Sequence, residues 1–151
     1  MKFWPADDLV FVTALDEKEV RHRMLLLVKA RNASYTGDVN GNNFRIRRDI
    51  QYRNSFLPIV SGTIEPGIGT TMLRVKMRMH LFVTVFEVLW LTISFSFALL
   101  ALFQPAREAV VFPLMFCVGG YAMAMIAFYL EARIVKRDFR NTFAAHIQGE
   151  Q

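Results

Sequence analysis

The most informative segment is LFVTVFEVLWLTISFSFALLALF, residues 81–103, in which Glu87 is the one ionisable side chain. As a helix rising 1.5 Å per residue it would be about 34 Å long, enough to cross a hydrocarbon core of about 30 Å. A second stretch, AVVFPLMFCVGGYAMAMIAFYL at 109–130, carries no charge and gives about 33 Å by the same rise. Because only residues 104–108 lie between them, the sequence predicts an antiparallel transmembrane hairpin with spans 81–103 and 109–130.

Basic residues flank the outer ends of this predicted hairpin. They are Arg74, Lys76 and Arg78 before the first span and Arg133, Lys136, Arg137 and Arg140 after the second. The tip has Arg107, balanced by Glu108. Since Lys and Arg flanks stay on the cytoplasmic side, we expect both termini in the cytoplasm. The first residues lack the apolar core of a secretory signal, so the predicted location is the cytoplasmic membrane, as a multi-pass protein.

Composition narrows the class of protein. The 151 residues are 54% hydrophobic and 21% charged, too apolar for a disordered chain. A single cysteine excludes an intrachain disulfide framework and a cysteine-rich zinc site. The formal net charge of +5 is compatible with nucleic acid, anionic lipid or a small anionic ligand, and does not choose among them.

Residues 1–80 are predicted to form a cytoplasmic α+β domain. Asp16 and Glu19 have a capping-box-like spacing ahead of an amphipathic helix over about 16–30. Asn40-Gly41 is typical of a type I′ hairpin, and Pro66-Gly67-Ile68-Gly69 of a second turn. The predicted strands of this small antiparallel sheet are 8–14, 35–39, 44–50, 56–65 and 71–80.

The tail, residues 131–151, is predicted to be a basic C-terminal amphipathic helix. Its apolar residues are Ile134, Phe139, Phe143 and Ile147, and its basic residues are Arg133, Lys136, Arg137 and Arg140. We expect it to continue the second span and to lean either on the lipid headgroups or on the sheet. The predicted fold class is therefore an α+β membrane protein: a small antiparallel sheet with one helix, then the hairpin, then this tail.

The segment from Phe44 to Pro58 carries a resemblance. It fits the pattern F-x-I-x-R-x-I-x-Y-R-N-S-F-x-P, followed by Gly62, by Gly69-Thr70 and by Met77-x-x-His80. In this it resembles a family of small uncharacterised bacterial membrane proteins that carry such a segment before a two-helix hairpin. The resemblance covers about residues 37–130. It implies a bacterial origin and a membrane location, and it implies no activity.

The residue types that catalysis needs are not assembled in the sequence. Cys117 lies mid-span, where a thiol stays protonated and inert. His22, His80 and His146 are far apart and do not have the spacing of metal ligands. We therefore expect a non-catalytic protein with no catalytic residue, no metal site and no cofactor.

A basic strand face is the first candidate site. Arg45 and Arg47 alternate on one predicted strand, and Arg74, Lys76, Arg78 and His80 alternate on another. In one sheet, these six side chains can converge on a surface that holds a phosphate, a nucleotide or a lipid headgroup. The alternative is a solvated face beside anionic lipid. Nucleic acid is a weaker expectation, because aromatic residues are not interleaved with the cations.

Two features inside the predicted spans complete the candidates. Glu87 is an intramembrane carboxyl, costly unless it is paired, neutralised or facing water, and we expect Arg133 or Lys136 as its partner. Small residues follow helical spacing in the second span, at Cys117, Gly120, Ala124 and Ala127. They predict close helix packing, either within the hairpin or between subunits of a homo-oligomer.

The sequence therefore predicts a small integral membrane protein whose sheet binds an anionic ligand, a lipid headgroup or a partner protein and couples this binding to the hairpin. An alternative is a structural or accessory subunit of a larger membrane complex. A third is a membrane-disrupting effector triggered by a ligand. The expected partners are membrane lipids and either further copies of the chain or a membrane-complex partner.

Overall fold

The computed structural model describes residues 4–30, 33–51, 54–103 and 107–148. It has an α+β architecture, in which an antiparallel sheet is followed by two long apolar helices. In chain order the elements are β1 Ala6–Thr13, α1 Glu17–Lys29, β2 Tyr35–Asn40, β3 Asn43–Arg48, β4 Ile59–Pro66, β5 Thr71–Arg78, α2 Leu81–Leu102, α3 Val111–Phe143 and β6 His146–Ile147. The five predicted strands and the first helix are confirmed, with boundaries that differ by a few residues. The two-residue strand β6 was not predicted.

The sheet has the strand order β2-β3-β4-β5-β1-β6, and each neighbouring pair is antiparallel. Strands β2 to β5 form the meander that the two turn motifs predict. Gly62 lies in β4, an inner strand of that meander, where the backbone passes very close to its neighbours. A Cβ there would be 2.1 Å from the carbonyl oxygen of Arg74 and 2.6 Å from the ring of Phe44, so any other residue forces these neighbours to shift.

The core lies between one face of the sheet and the helices. Strand β5 alternates strictly, with Leu73, Val75 and Met77 buried and the intervening residues exposed. Against this inner face pack Val20 and Met24 of α1 and a row from α3. The α3 row comprises Phe128, Ala132, Val135, Phe139 and Phe143.

One expectation about the first helix is wrong. Asp16 occupies the N-cap position of α1, but its side chain makes no capping hydrogen bond. Glu19 does not close a capping box either, because it accepts a hydrogen bond from Arg23 one turn later, at 2.7 Å.

The predicted tail helix is not a separate element. Helix α3 runs without interruption from Val111 to Phe143, about 50 Å, and ends at Ala144 in the left-handed conformation. Of the predicted apolar residues, Phe139 and Phe143 are buried against the sheet, Ile134 is half-buried, and Ile147 belongs to β6. The tail packs on the sheet because its apolar row completes the core there.

Helices α2 and α3 are each long and apolar enough to cross a membrane. The most apolar stretch is 22% buried in α2 and 11% buried in α3. The core helix of a soluble protein would bury most of such a stretch. The two helices pack on each other, with the rings of Trp90 and Phe116 5.7 Å apart.

Candidate functional site

The outer face of the sheet gathers five of the six predicted cations. Arg45 and Arg47 on β3, and Arg74, Lys76 and Arg78 on β5, are all exposed on the side opposite the core; we call these five residues the basic face. Strand β4 separates the two groups, and neighbouring strands are about 4.8 Å apart. The side chains of β3 and β5 can therefore reach toward a common point above β4.

The cross-strand register defines the centre of the basic face. Ser61 of β4 pairs with Arg45 on one side and with Lys76 on the other, so these three residues form one row. In register, Asp38 flanks Arg45 and Asp8 flanks Lys76. Two strand spacings separate the Cα atoms of Arg45 and Lys76, about 10 Å. A hydroxyl group between two long cationic side chains is an arrangement that can hold a phosphate-sized anion.

Two cations of the basic face are already paired with carboxylates. Arg74 donates from Nε to both oxygens of Glu65, at 2.8 and 2.9 Å, and this hydrogen bonding lowers the pKa of Glu65 below its usual range. Arg78 contacts both carboxylate oxygens of Asp8 at 2.8 Å. The hydrogen bond that Arg78 donates to Asp8 raises the pKa of Arg78. The other three, Arg45, Arg47 and Lys76, make no ion pair with any residue that the structure describes.

His80, the sixth predicted cation, has a different place. It is the N-cap of α2, and its Nδ1 accepts a hydrogen bond from the backbone N–H of Phe82 at 3.2 Å. A ring nitrogen that accepts this bond satisfies one of the unpaired donors at the start of a helix. His80 therefore terminates the sheet and begins the first long helix.

A buried polar cluster joins the sheet to α3, and sequence reasoning missed it. Glu131, only 4% exposed, accepts a hydrogen bond from Arg48 at 2.5 Å and one from Asn54 at 3.1 Å. Asn54 also accepts from the backbone N–H of Phe56 at 3.0 Å. Arg48, Asn54 and Phe56 all belong to the motif from Phe44 to Pro58. Glu131, the common partner of Arg48 and Asn54, lies 77 residues after Asn54.

Two further polar contacts tie α3 to the sheet. Lys136 forms an ion pair with the buried Asp7 of β1, with Nζ and Oδ2 2.7 Å apart. Tyr35 of β2 donates its hydroxyl hydrogen to Asp138 at 2.9 Å. Burial, and secondarily the Asp138 carboxylate, raise the pKa of Tyr35 far above its ordinary value. These contacts hold α3 in one register on the sheet.

Glu87 does not meet its expected partners. Lys136 is engaged by Asp7, and the Arg133 side chain is exposed. The Glu87 side chain is 4% exposed, and its Oε1 atom accepts no hydrogen bond within the described part of the chain. The carboxyl group lines a cavity of about 390 Å³ between the two long helices.

The predicted stripe of small residues is partly explained by packing within the hairpin. Gly120 faces α2, where a Cβ would come within 2.6 Å of the Trp90 indole nitrogen, and Ala124 is buried. Cys117 and Ala127 are half-buried. Sequence reasoning missed the matching row on α2, whose buried small residues are Ser94, Ala98 and Ala101. The three recur at intervals of four and three, a signal that was present in the sequence.

No family model, curated protein or solved structure matches this chain. Within the described ranges, no three His, Cys, Asp or Glu side chains come together as metal ligands. Two places remain as candidate sites: the basic face of the sheet and the cavity that contains Glu87.

Proposed function

We propose that this chain is a non-catalytic, two-span protein of the bacterial inner membrane, with both termini in the cytoplasm. Its basic face binds a phosphate-bearing anion, and this binding is coupled to the hairpin. The arrangement that carries the proposal is the row Arg45–Ser61–Lys76, flanked by Arg47 and Arg78 on the same exposed face.

Exposed apolar surface supports the membrane location. Along α2 and the first part of α3, large side chains such as Phe82, Phe97 and Phe112 are 60–74% exposed. Contiguous apolar surface of this extent is costly in water, and lipid removes the cost. The flanking cations support the cytoplasmic side for the sheet.

The state of the five cations supports anion binding at the centre of the face. Arg45, Arg47 and Lys76 remain available, while Arg74 and Arg78 are held by Glu65 and Asp8. An arginine can bind phosphate through two hydrogen bonds, and a lysine adds a point charge. Because the row stands on three adjacent strands, its backbone is fixed before the anion arrives, which lowers the entropic cost of binding.

Continuity of the chain supports coupling. Strand β5, which carries three of the cations, leads through Met79 and His80 directly into α2. Helix α3 comes from the hairpin and is held on the other face of the sheet by the polar contacts of Glu131, Lys136 and Asp138. A change in the sheet is thereby transmitted to both long helices.

The test is anion binding by the full chain in dodecyl maltoside. The variant R45Q/K76Q removes the two ends of the row, and K18Q/K29Q removes two exposed charges from α1 as a matched control. Isothermal titration uses dihexanoyl phosphatidylglycerol in one arm and inorganic phosphate in the other. We expect R45Q/K76Q to weaken binding about tenfold or more, and the control to leave it unchanged.

The two arms distinguish the sources of the anion. Binding of phosphatidylglycerol alone assigns the face to lipid headgroups, and binding of both ligands assigns it to soluble phosphates. Equal affinity of wild type and R45Q/K76Q for both ligands refutes the proposal. Arg74 and Arg78 are less suitable targets, because their removal also leaves Glu65 and Asp8 without these partners.

A second candidate, an accessory subunit of a membrane complex, is favoured by another observation. A shallow apolar groove runs along the hairpin past Leu91, Phe95, Cys117 and Val118, and it is a suitable surface for a further helix. Purification in mild detergent separates the two candidates. A stoichiometric partner of different sequence supports the accessory role, and its absence favours the anion-binding protein.

A further inference from the structure

The cavity beside Glu87 differs in chemistry from the basic face. It lies between α2 and α3 near the sheet end of the hairpin, since Glu87 is six residues, about 9 Å, from the start of α2. Its walls are aromatic and methionine side chains, with Phe56, Phe86, Trp90 and Phe116 supplying the rings. Among its described lining residues, Glu87 is the only ionisable one.

The Glu87 carboxyl group has no ion-pair partner among the described residues, in a place where such groups are normally paired. Glu87 is only 4% exposed, and its Oε1 atom has no hydrogen-bond partner within the described residues. A buried carboxylate in apolar surroundings is strongly disfavoured without a partner of opposite charge. The Glu87 carboxyl group can therefore accept a cation or a hydrogen-bond donor as a partner in the cavity.

The glycine pair of α3 keeps this space open. A Cβ at Gly120 would come within 2.6 and 2.9 Å of the Trp90 indole, so this glycine leaves room for the indole ring beside α3. A Cβ at Gly119 would meet no atom within 4 Å, which shows that the space beside it belongs to the cavity. Aromatic faces so held attract cations through their ring quadrupoles.

We infer that this cavity binds a small lipophilic organic cation, whose charge pairs with Glu87 and whose apolar body occupies the aromatic walls. A volume of about 390 Å³ is within the usual range of small-molecule sites. A zwitterionic phospholipid headgroup fits less well, because its phosphate would meet a carboxylate and no lining cation. The inference is independent of the basic face.

The test compares two ions of equal shape and opposite charge, tetraphenylphosphonium and tetraphenylborate. Each is titrated calorimetrically into the full chain in dodecyl maltoside, with detergent alone as the blank. Wild type is expected to bind tetraphenylphosphonium saturably and not to bind tetraphenylborate. E87Q is expected to bind the phosphonium about tenfold more weakly or not at all.

Two further variants control the result. E108Q makes the same chemical change at an exposed glutamate in the hairpin connection and is expected to bind as wild type. Gly119→Leu keeps the carboxyl group but fills the cavity, and it is expected to lose binding while it retains the wild-type melting temperature. Should E87Q fail to fold, Gly119→Leu still decides the question.

Three outcomes overturn the inference. Equal affinity of E87Q and wild type for the phosphonium would remove the role of the carboxyl group. Similar binding of both ions would mean that apolar contact alone accounts for binding and that charge has no role. A wild-type dimer that binds no phosphonium, and that E87Q dissociates, would assign the cavity to a second copy of the chain.

Discussion

Replacing Phe139 with alanine is the most direct test of how the sheet and α3 are joined. The side chain is fully buried, and its ring lies 5.7 Å from Phe11, 6.3 Å from Tyr35, 6.2 Å from Phe44 and 5.5 Å from Phe143. It therefore contacts β1, β2 and β3 from a single position on the helix. Every one of these ring contacts is lost on truncation.

The magnitude follows from this packing. Phe→Ala changes in a core cost about 3–5 kcal/mol through lost transfer free energy and the cavity that remains. Four aromatic neighbours place Phe139 toward the upper end of that range, because each favourable ring pair adds about 0.5–1.5 kcal/mol. For a chain of this length, about 2–4 °C per kcal/mol gives a fall in melting temperature of about 6–20 °C.

The assay is thermal unfolding of the full chain in dodecyl maltoside, followed by circular dichroism. The matched control is Phe82→Ala on α2, where the same side chain is 74% exposed and the expected change is below about 0.5 kcal/mol. A shift for Phe139→Ala no larger than that of the control would refute the packing of α3 on the sheet.

Three further predictions test individual contacts. Because burial raises the pKa of Tyr35 above its ordinary value near 10, unfolding releases its proton above about pH 10, and stability falls there by up to about 1.4 kcal/mol per pH unit. The variant Tyr35→Phe lacks this loss in denaturation measurements across that range. Arg74→Gln returns the lowered pKa of Glu65 toward its usual range, as measured by NMR titration of the side-chain carbonyl. Gly62→Ala lowers the free energy of unfolding by about 1–3 kcal/mol, because the new methyl group meets the Arg74 carbonyl oxygen and the Phe44 ring.

Each of these predictions has a contrary result. An identical high-pH slope in wild type and Tyr35→Phe would mean that the hydroxyl group is not held neutral by the fold. An unchanged pKa of Glu65 in Arg74→Gln would exclude the hydrogen bonds from Arg74 as the cause of the lowered pKa. Unaltered stability of Gly62→Ala, compared with Gly119→Ala in open space, would contradict the close strand approach.

The helices and strands could be predicted from the sequence, because their signals are local. The length and apolarity of 81–103 and 109–130 predicted two long helices, and the alternation from Leu73 to His80 assigned one face of β5 to the core. The turns at Asn40-Gly41 and Pro66-Gly67 predicted the strand pairs around them. The register then follows from which face is apolar.

Contacts between side chains that are distant in sequence could not be predicted in this way. The sequence around Glu131 does not predict Arg48 or Asn54 as its partners. The sequence around Lys136 likewise does not favour Asp7 over Glu87 as its partner. All these pairings depend on how α3 lies across the sheet. Such long-range contacts are set by the packing of the whole apolar row against the strands. Local periodicity shows that a helix has a buried face, but it does not show which charge stands opposite.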